Sequence, residues 1–506
     1  MNNVDSYIFC FNRKGFQKYH YLSSVFLSRI CLCLCLTYCF MHTNRISNAA
    51  TPEQISEALR LGVSWLVNQQ ENDGSWTAYA PVGTTGLGVA VLGHYAEEIG
   101  MRPNSMNYEY YHNINEGLYY ILSQAYHDPE NEHIWFGSSE LEGACNYVPG
   151  TVLMAIAMSG KTNQPINTNN SSLNGLTYRE TAQRIVNYLD YAQIRSGPGI
   201  GAWYYRPYID NGDLSITGWV TLGLGYAFER LSIELPESLV ENINASIDIM
   251  QQTDNPESWD YGGAGYSSAA IPPYSDWINV HKVGHLLYMM YLVGEENTSL
   301  RVLRSIGFLE RHWYSPTSGL TGGEFDLGWR GLPPEVLPSY IATVTIMKGF
   351  IALNIHEITV EGARIDWYDD VSTVIVENQK PSGAWDQGGF PIQFETLSTI
   401  WALLTLLKAV PQPPQPSIMP NAFMPASNIQ ANQTFKPVFE FEVQEYSMKI
   451  FNRWGNKIFQ STDLDVGWDG NYNGNKAPAG GYVYKVNYVY YDGTRHEHTG
   501  IVMLIR

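Results

Sequence analysis

His281-Lys-Val-Gly-His285 sets two imidazoles at i and i+4, on one face of a helix, a spacing that can bind a metal. Asp276 stands about one turn upstream. Zinc at His281 and His285 is the only cofactor the pattern admits. The Glu of His-Glu-x-x-His is missing, so no protease base accompanies the pair. Two histidines at the start of an apolar helix are more often hydrogen-bonded structure, and the default expectation is no metal.

A second set of residues is aromatic and acidic. Trp203-Tyr-Tyr-Arg-Pro-Tyr208 leads to Asp210 and Asp213, and Trp259-Asp-Tyr261 leads to Tyr266, Tyr274, Asp276 and Trp277. Phe325-Asp326 leads to Trp329, Arg330 and Glu335, and Trp385-Asp386 leads to Phe390 and Glu395. Aromatic faces with interleaved carboxylates suit sugars, and paired carboxylates or Tyr/His groups could do glycosidic chemistry. The same residues could simply cap helices and fill space. Tyr204, Tyr205, Arg206, Asp213, Asp276, Trp277, His281, Trp329 and Arg330 are the candidate ligand-binding residues. No catalytic residue is assigned.

The elements that must carry these groups come from a repeat. Gln70-x3-Gly74-Ser-Trp76 and Gln379-x3-Gly383-Ala-Trp385 are sharp copies, and Gln193 with Gly201-Ala-Trp203 is a looser one. Degenerate copies end near Trp135, Trp259 and Phe325. Successive ends are 59, 68, 56, 66 and 60 residues apart. A second apolar helix follows each end, starting near Thr84, Val148, Leu214, Ile278, Tyr340 and Thr396. A period of this size means stacked units, none able to bury its apolar face alone. Six hairpins in residues 51–410 predict a closed double ring, six helices inside and six outside. All the candidate loops would then open at one rim. The polar insertion Asn163 to Gly175 is expected to be a mobile loop.

The Gln-to-Trp pattern resembles the repeats of squalene and terpene cyclases and of protein prenyltransferases. That resemblance implies an all-α (α/α)6 toroid, with Gln70, Trp76, Gln379 and Trp385 as structural clamps. It does not carry the chemistry. A protonating cyclase needs Asp-x-Asp-Asp, and the nearest strings are Asp463-Leu-Asp-Val466 and Asp366-Trp-Tyr-Asp-Asp370. Asp369-Asp-Val-Ser-Thr373 lacks the last Asp of a magnesium-holding Asp-Asp-x-x-Asp. Cys145 lies over 130 residues before Asp276 and His281, so a prenyltransferase zinc triad fails in order and spacing. Terpene cyclase activity is therefore not expected.

Pro411-Gln-Pro-Pro-Gln-Pro416 is a stiff linker, after which the apolar period falls from about 3.6 to 2. Tyr482 to Tyr490 and His498 to Ile505 read as a hairpin turning at Asp492-Gly493. Residues 417–506 should be a small all-β sandwich. Pro420-Asn-Ala-Phe423, Ile450-Phe-Asn-Arg-Trp-Gly455, Gly467-Trp-Asp-Gly470, Ala477-Pro-Ala-Gly480 and Gly500 to Arg506 resemble the gliding-motility-associated C-terminal domain. That family is a type B sorting signal for type IX secretion in Bacteroidetes. The resemblance implies the secretion machinery as a partner, and a protein secreted or held on the outer cell surface.

The other end agrees. Ile30 to Met41 is a short apolar run behind Lys14, Lys18 and Arg29, and Ser47-Asn-Ala-Ala50 offers small residues for cleavage. Residues 1–50 are read as a signal peptide, too short in its apolar run to span a membrane. Five of six cysteines lie in this leader, so no disulfide framework is available beyond it. Outside the leader there are 25 basic and 48 acidic residues, a net −23. That balance excludes nucleic acid and anionic membrane as partners. Only 16% of residues are charged, while Tyr (35) and Trp (14) are abundant. The expected function is a secreted or surface toroid that binds a glycan or peptide. The alternative is an extracellular carbohydrate-active lyase or hydrolase using the toroid cavity.

Overall fold

The computed structural model describes residues 49–78, 80–266, 278–315, 327–331, 337–386, 394–411, 419–427, 432–439, 443–490 and 495–506. The leader to residue 48, most of the proline linker, and Tyr274, Asp276, Trp277, Phe325, Asp326, Glu335 and Phe390 lie outside them.

Twelve α-helices are found among the described residues up to Val410. The odd-numbered ones are α1 (Pro52–Val67), α3 (Tyr111–Ser123), α5 (Tyr178–Ala192), α7 (Glu237–Met250), α9 (Leu300–His312) and α11 (Trp367–Glu377). The even-numbered ones are α2 (Pro81–Glu98), α4 (Tyr147–Met158), α6 (Leu214–Leu231), α8 (Val280–Leu292), α10 (Tyr340–Ala352) and α12 (Glu395–Leu406). Each even helix packs on the next, and α12 packs back on α2, so the inner ring closes. The outer ring closes too, with α11 against α1.

Sequence explains which helices go inside. Tyr147 to Met158 (YVPGTVLMAIAM) is apolar all round, and ten of its twelve residues are buried. Such a helix has no face to offer water. The outer α9 buries only Val302, Ser305, Phe308 and Leu309, one stripe of an otherwise charged helix. Small residues let inner backbones approach. A Cβ on Gly150 would lie 2.3 Å from the Trp219 carbonyl oxygen, and one on Gly284 would lie 2.4 Å from the Thr345 carbonyl carbon.

The repeat residues tie these layers together. The indole N–H of Trp76, Trp203 and Trp385 donates to the last turn of its own outer helix, at Leu66 O (2.7 Å), Leu189 O (2.9 Å) and Ile375 O (2.7 Å). Their backbone N–H groups donate to Thr85, Thr217 and Thr399 on the following inner helices. Gln70, Gln193 and Gln379 each donate to their own loop and to the next outer helix, at Asn113, Leu239 and Ala58. One amide thus ties the loop after one outer helix to the backbone of the next outer helix.

The Asn163–Gly175 insertion is packed, contrary to the expectation of a mobile loop. Leu173 is buried, and the Asn170 amide donates to Leu122 O and Ala125 O just past α3. A bridge between Pro165 and Thr177 closes its base. Composition does not reveal this because it rests on one side chain, Asn170, bonded to backbone, and on Leu173, while most of the other residues are exposed.

Beyond the ring, β5 (Ala422–Phe423), β6 (Val443–Phe451), β7 (Lys457–Ser461), β10 (Gly480–Tyr490) and β11 (Arg495–Leu504) form one sheet in the order β5-β11-β10-β6-β7. Tyr482, Tyr484, Val486 and Tyr488 are buried on one face, the period of 2 read from sequence. The expected sandwich is not complete. Among the described residues the second layer is only a Phe435–Trp468 bridge, with a hairpin of β8 (Asn471–Tyr472) and β9 (Asn475–Lys476) nearby in sequence. Those two rings, 5.1 Å from Tyr484 and 4.7 Å from Tyr482, cover the apolar face themselves. Among the described residues no helix is long and apolar enough to cross a membrane.

Candidate functional site

Two groups of polar and aromatic residues stand out, one at the rim and one at the ring's centre. The rim group rests on Asn146, which is buried at the start of α4. Its amide donates to Tyr204 O (2.9 Å), its backbone N–H to Tyr205 O (3.0 Å), and its Oδ1 accepts from the Tyr188 hydroxyl. The 204–208 loop is therefore held at two successive carbonyls. Tyr205 reaches the Tyr266 hydroxyl at 3.2 Å.

The same loop ends at Tyr208, whose φ of +64° is rare for a bulky residue. Its hydroxyl bonds that of Tyr191 on α5, and this bond, with some burial, pushes the Tyr208 hydroxyl up to about 12. Tyr191 lies 5.0 Å from the His133 ring on β2 (His133–Trp135). Trp135 on β2 stacks against Tyr126 of β1 (Tyr126–Asp128) at 6.2 Å. Tyr208 and Tyr191 are 60% and 44% exposed, so the array presents aromatic faces to solvent.

The sequence-predicted residues divide. Tyr204, Tyr205 and Arg206 share the rim loop. Asp213 is buried as the N-cap of α6, its Oδ1 accepting from Ser215 N and Ile216 N, while its Oδ2 has no partner among the described residues. Trp329 is wholly buried, 5.3 Å from Trp313, and belongs to the core rather than the rim. It was misplaced because Trp313, at the end of α9, leaves no room for an open face. Arg330 pairs with Asp370 at 3.0 Å, beside the indole N–H of Trp313, which donates to the same carboxylate. Asp276 and Trp277 lie outside the described residues.

His281 belongs to the second group. Its Nε2 is 3.1 Å from His285 Nε2, and both imidazoles are wholly buried. Lys348 of α10 crosses to them, its Nζ 2.7 Å from His285 Nδ1 and 2.7 Å from Gly218 O. His281 Nδ1 has no hydrogen-bond partner among the described residues. Lys348 lies over Trp219 and Tyr288, each 5.4 Å from the ring centroid. Burial holds Lys348 and both histidines well below their usual ranges, and neighbouring lysines push the histidines the same way. No carboxylate is bonded to this chain of three among the described residues, and no group of three or more His, Cys, Asp or Glu there could hold a metal.

Gly218 makes the Lys348 crossing possible, since a Cβ there would sit 1.8 Å from His285 Nδ1. Gly218→Ala is expected to cost about 1–3 kcal/mol through overpacking, despite alanine's better helix propensity. Urea unfolding checks this; a variant as stable as the parent would show that the imidazole has room to move.

Sequence reasoning missed Asn146, Tyr191, His133 and Lys348. Only Lys348 left a signal, a lone cation inside the apolar stretch Tyr340 to Ala352.

Residues 417–504 match the CHU_C Type IX secretion signal domain. The protein is secreted or attached to the outer cell surface. Its C-terminal domain engages the type IX secretion machinery. No curated protein matches the chain. Among solved structures, a UGL variant with dGlcA-Glc-Rha-Glc is similar at 12% identity over 71% of this chain and 96% of that one, TM-score 0.46. A family 76 glycoside hydrolase from a bovine Bacteroides thetaiotaomicron strain is similar at 11% identity over 70% and 77%, TM-score 0.43. The Lin0763 protein from Listeria innocua is similar at 13% over 70% and 96%, TM-score 0.42. At these scores the overlap is loose and says nothing of activity.

Proposed function

We propose that the helical ring, an (α/α)6 toroid, is a non-catalytic recognition module of this secreted or surface protein, and that it holds an extracellular glycan on the tyrosine array of its rim. The observation that carries this reading is Tyr208. A strained backbone persists only where its surroundings impose it, and such outliers cluster at ligand sites. Here the strain turns an exposed ring against Tyr191, beside Tyr204 and Tyr205. The packed inner helices support binding at the rim rather than along the ring axis.

Each tyrosine is worth about 0.5–1.5 kcal/mol of stacking, or roughly a two- to tenfold change in affinity. Tyr208→Ala and Tyr191→Ala are therefore expected to lose retention in affinity gels containing neutral polysaccharides and to keep the parent melting curve. Retention equal to the parent in both variants would remove the array from the function. Retention of peptides but of no polysaccharide would replace the glycan by a peptide.

The enzyme reading has one observation in its favour, the desolvated Lys348–His285–His281 chain, since an uncharged amine could serve as a base. Its burial argues against contact with a polymer. Release of reducing or unsaturated sugar ends by the parent, abolished in Lys348→Met, would reverse this preference.

A further inference from the structure

The C-terminal domain contains a cavity of about 520 Å³ at one end of the sheet, lined mainly by turn residues. Three tight turns wall it. In the first, Asn452 Oδ1 accepts from the backbone N–H of Trp454 and Asn456, 3.0 Å each. The second joins β8 to β9 through Asn473-Gly474, with φ of +49° and +79°, the left-handed pair that a two-residue hairpin requires. The third runs from Ala477 to Gly481 and is pinned by the Tyr482 hydroxyl donating to Pro478 O at 2.7 Å. These bonds fix the walls and involve the Asn452 and Tyr482 side chains, while the indole of Trp454 and the ring of Tyr472 are not used by them.

Those side chains have one chemistry. Trp454 is 72% exposed, unusual for the residue that gains most from burial, and Tyr472 is half exposed beside it. Asn473 and Asn475 add amides. Arg453 lies 4.4 Å over one face of Trp454, and Lys476 also lines the cavity. Elsewhere in the domain Lys436, Lys485 and Arg495 lie within reach of carboxylates. Arg453 and Lys476 have no such partner among the described residues, as is also true of Lys449, Lys457 and Arg506. What sets the first two apart is that both line the cavity, which gives its wall positive charge in a protein of net charge −19.

We propose that this cavity is a saccharide site selective for carboxylate-bearing sugars. A sugar ring stacks on Trp454 and Tyr472, amides from Asn473 and Asn475 meet its hydroxyls, and Arg453 with Lys476 takes the carboxylate. The volume lies within the range of small-ligand pockets. An isolated planar guanidinium matches a carboxylate with two parallel N–H donors.

The test is affinity electrophoresis of the full chain through gels containing polygalacturonate or its methyl ester, which keeps the sugar backbone and removes the charge. Polygalacturonate is expected to retard the parent strongly and the ester weakly, with the difference shrinking in 0.5 M salt. Trp454→Ala and Arg453→Gln should each weaken retention at least fivefold with unchanged melting, since both side chains project from turns. Tyr208→Ala should leave this acidic retention intact, which separates the site from the rim array. Equal retention by polygalacturonate and ester, no retention by polygalacturonate, or full retention in Trp454→Ala would overturn the proposal. So would Trp454→Ala blocking export while retention is unchanged, because the wall would then serve the secretion machinery. Loss of acidic retention in Tyr208→Ala alone would place binding at the rim and leave the cavity without a ligand.

Discussion

Between about pH 6.5 and pH 5 the folded protein is expected to lose stability steeply, by up to roughly 4 kcal/mol per pH unit if three imidazoles titrate together. His281 and His285 at the ring centre and His94 on α2 are buried, and desolvation holds each well below its usual range. His94 Nε2 is 2.6 Å from the Tyr226 hydroxyl, a partner that does not need the charged form. The unfolded chain takes up a proton on each histidine near pH 6.5, whereas the folded chain resists. The unfolded state then binds more protons, so the stability these groups supply is present above pH 6.5 and is lost as pH falls. Lys348 acts in the same direction over a higher window. Burial lowers its pKa in the folded chain, so above that lowered value the unfolded chain binds the extra proton and stability should keep rising with pH, by at most about 1.4 kcal/mol per unit, until the unfolded lysine itself titrates. Glu229, raised by burial, opposes this by at most one proton on the acid side. Urea midpoints at half-unit steps from pH 5 to pH 9 measure the slope. A flat profile between pH 5 and pH 7 would mean that these imidazoles are not held uncharged by burial.

Trp385→Ala should be the most damaging single truncation of a clamp, at about 3–5 kcal/mol. The indole N–H is bonded to Ile375 O, the backbone N–H is bonded to Thr399, and the ring presses on the first helix of the chain. A Cβ on Gly62 of α1 would lie 2.7 Å from Trp385 Cζ3. The truncation therefore opens the seam between the last hairpin and the first, and it also removes one of the two donors to the Ile375 carbonyl. Trp454→Ala, a tryptophan of the same size on an exposed turn, should not shift the melt. Equilibrium unfolding of the two variants side by side checks the contrast. A cost below about 1 kcal/mol for Trp385→Ala would show that the ring does not need this indole to close.

The repeat was legible because its residues are bonded to backbone, and backbone bonds fix spacing in the chain. Gln70, Gln379, Trp76 and Trp385 perform the same bonds in copies far apart, so the pattern survives as text. Where the bond changes, the pattern blurs. Trp135 donates to Ser138 O instead of an outer helix, and Trp259 is largely exposed, and these were the degenerate copies. Helix starts were legible to within about three residues, because Gly and polar loops stop apolar runs. The rim array was only half legible. Tyr204 and Tyr205 sit in one motif, and Tyr191 meets Tyr208 from the helix before it, but His133 and Asn146 come from the preceding hairpin, and no spacing records that. Trp329 was misjudged because an aromatic in a loop reads the same whether Trp313 covers it or not. Asp213 reads as a possible ligand carboxylate until the two backbone donors at the start of α6 are seen.

The closed seam also bears on how the chain is made. Gln379 reaches Ala58, a partner 321 residues earlier. In synthesis from the N-terminus, α1 and α2 emerge first, yet the neighbours that cover them, α11 and α12, emerge last. For most of translation the opening hairpin has an apolar flank with nothing to lie against. Chains in this condition expose hydrophobic surface and are prone to stick to one another. The partly made protein is therefore a natural client for a chaperone, and a stop codon anywhere before α12 should yield an insoluble product rather than a smaller, working ring.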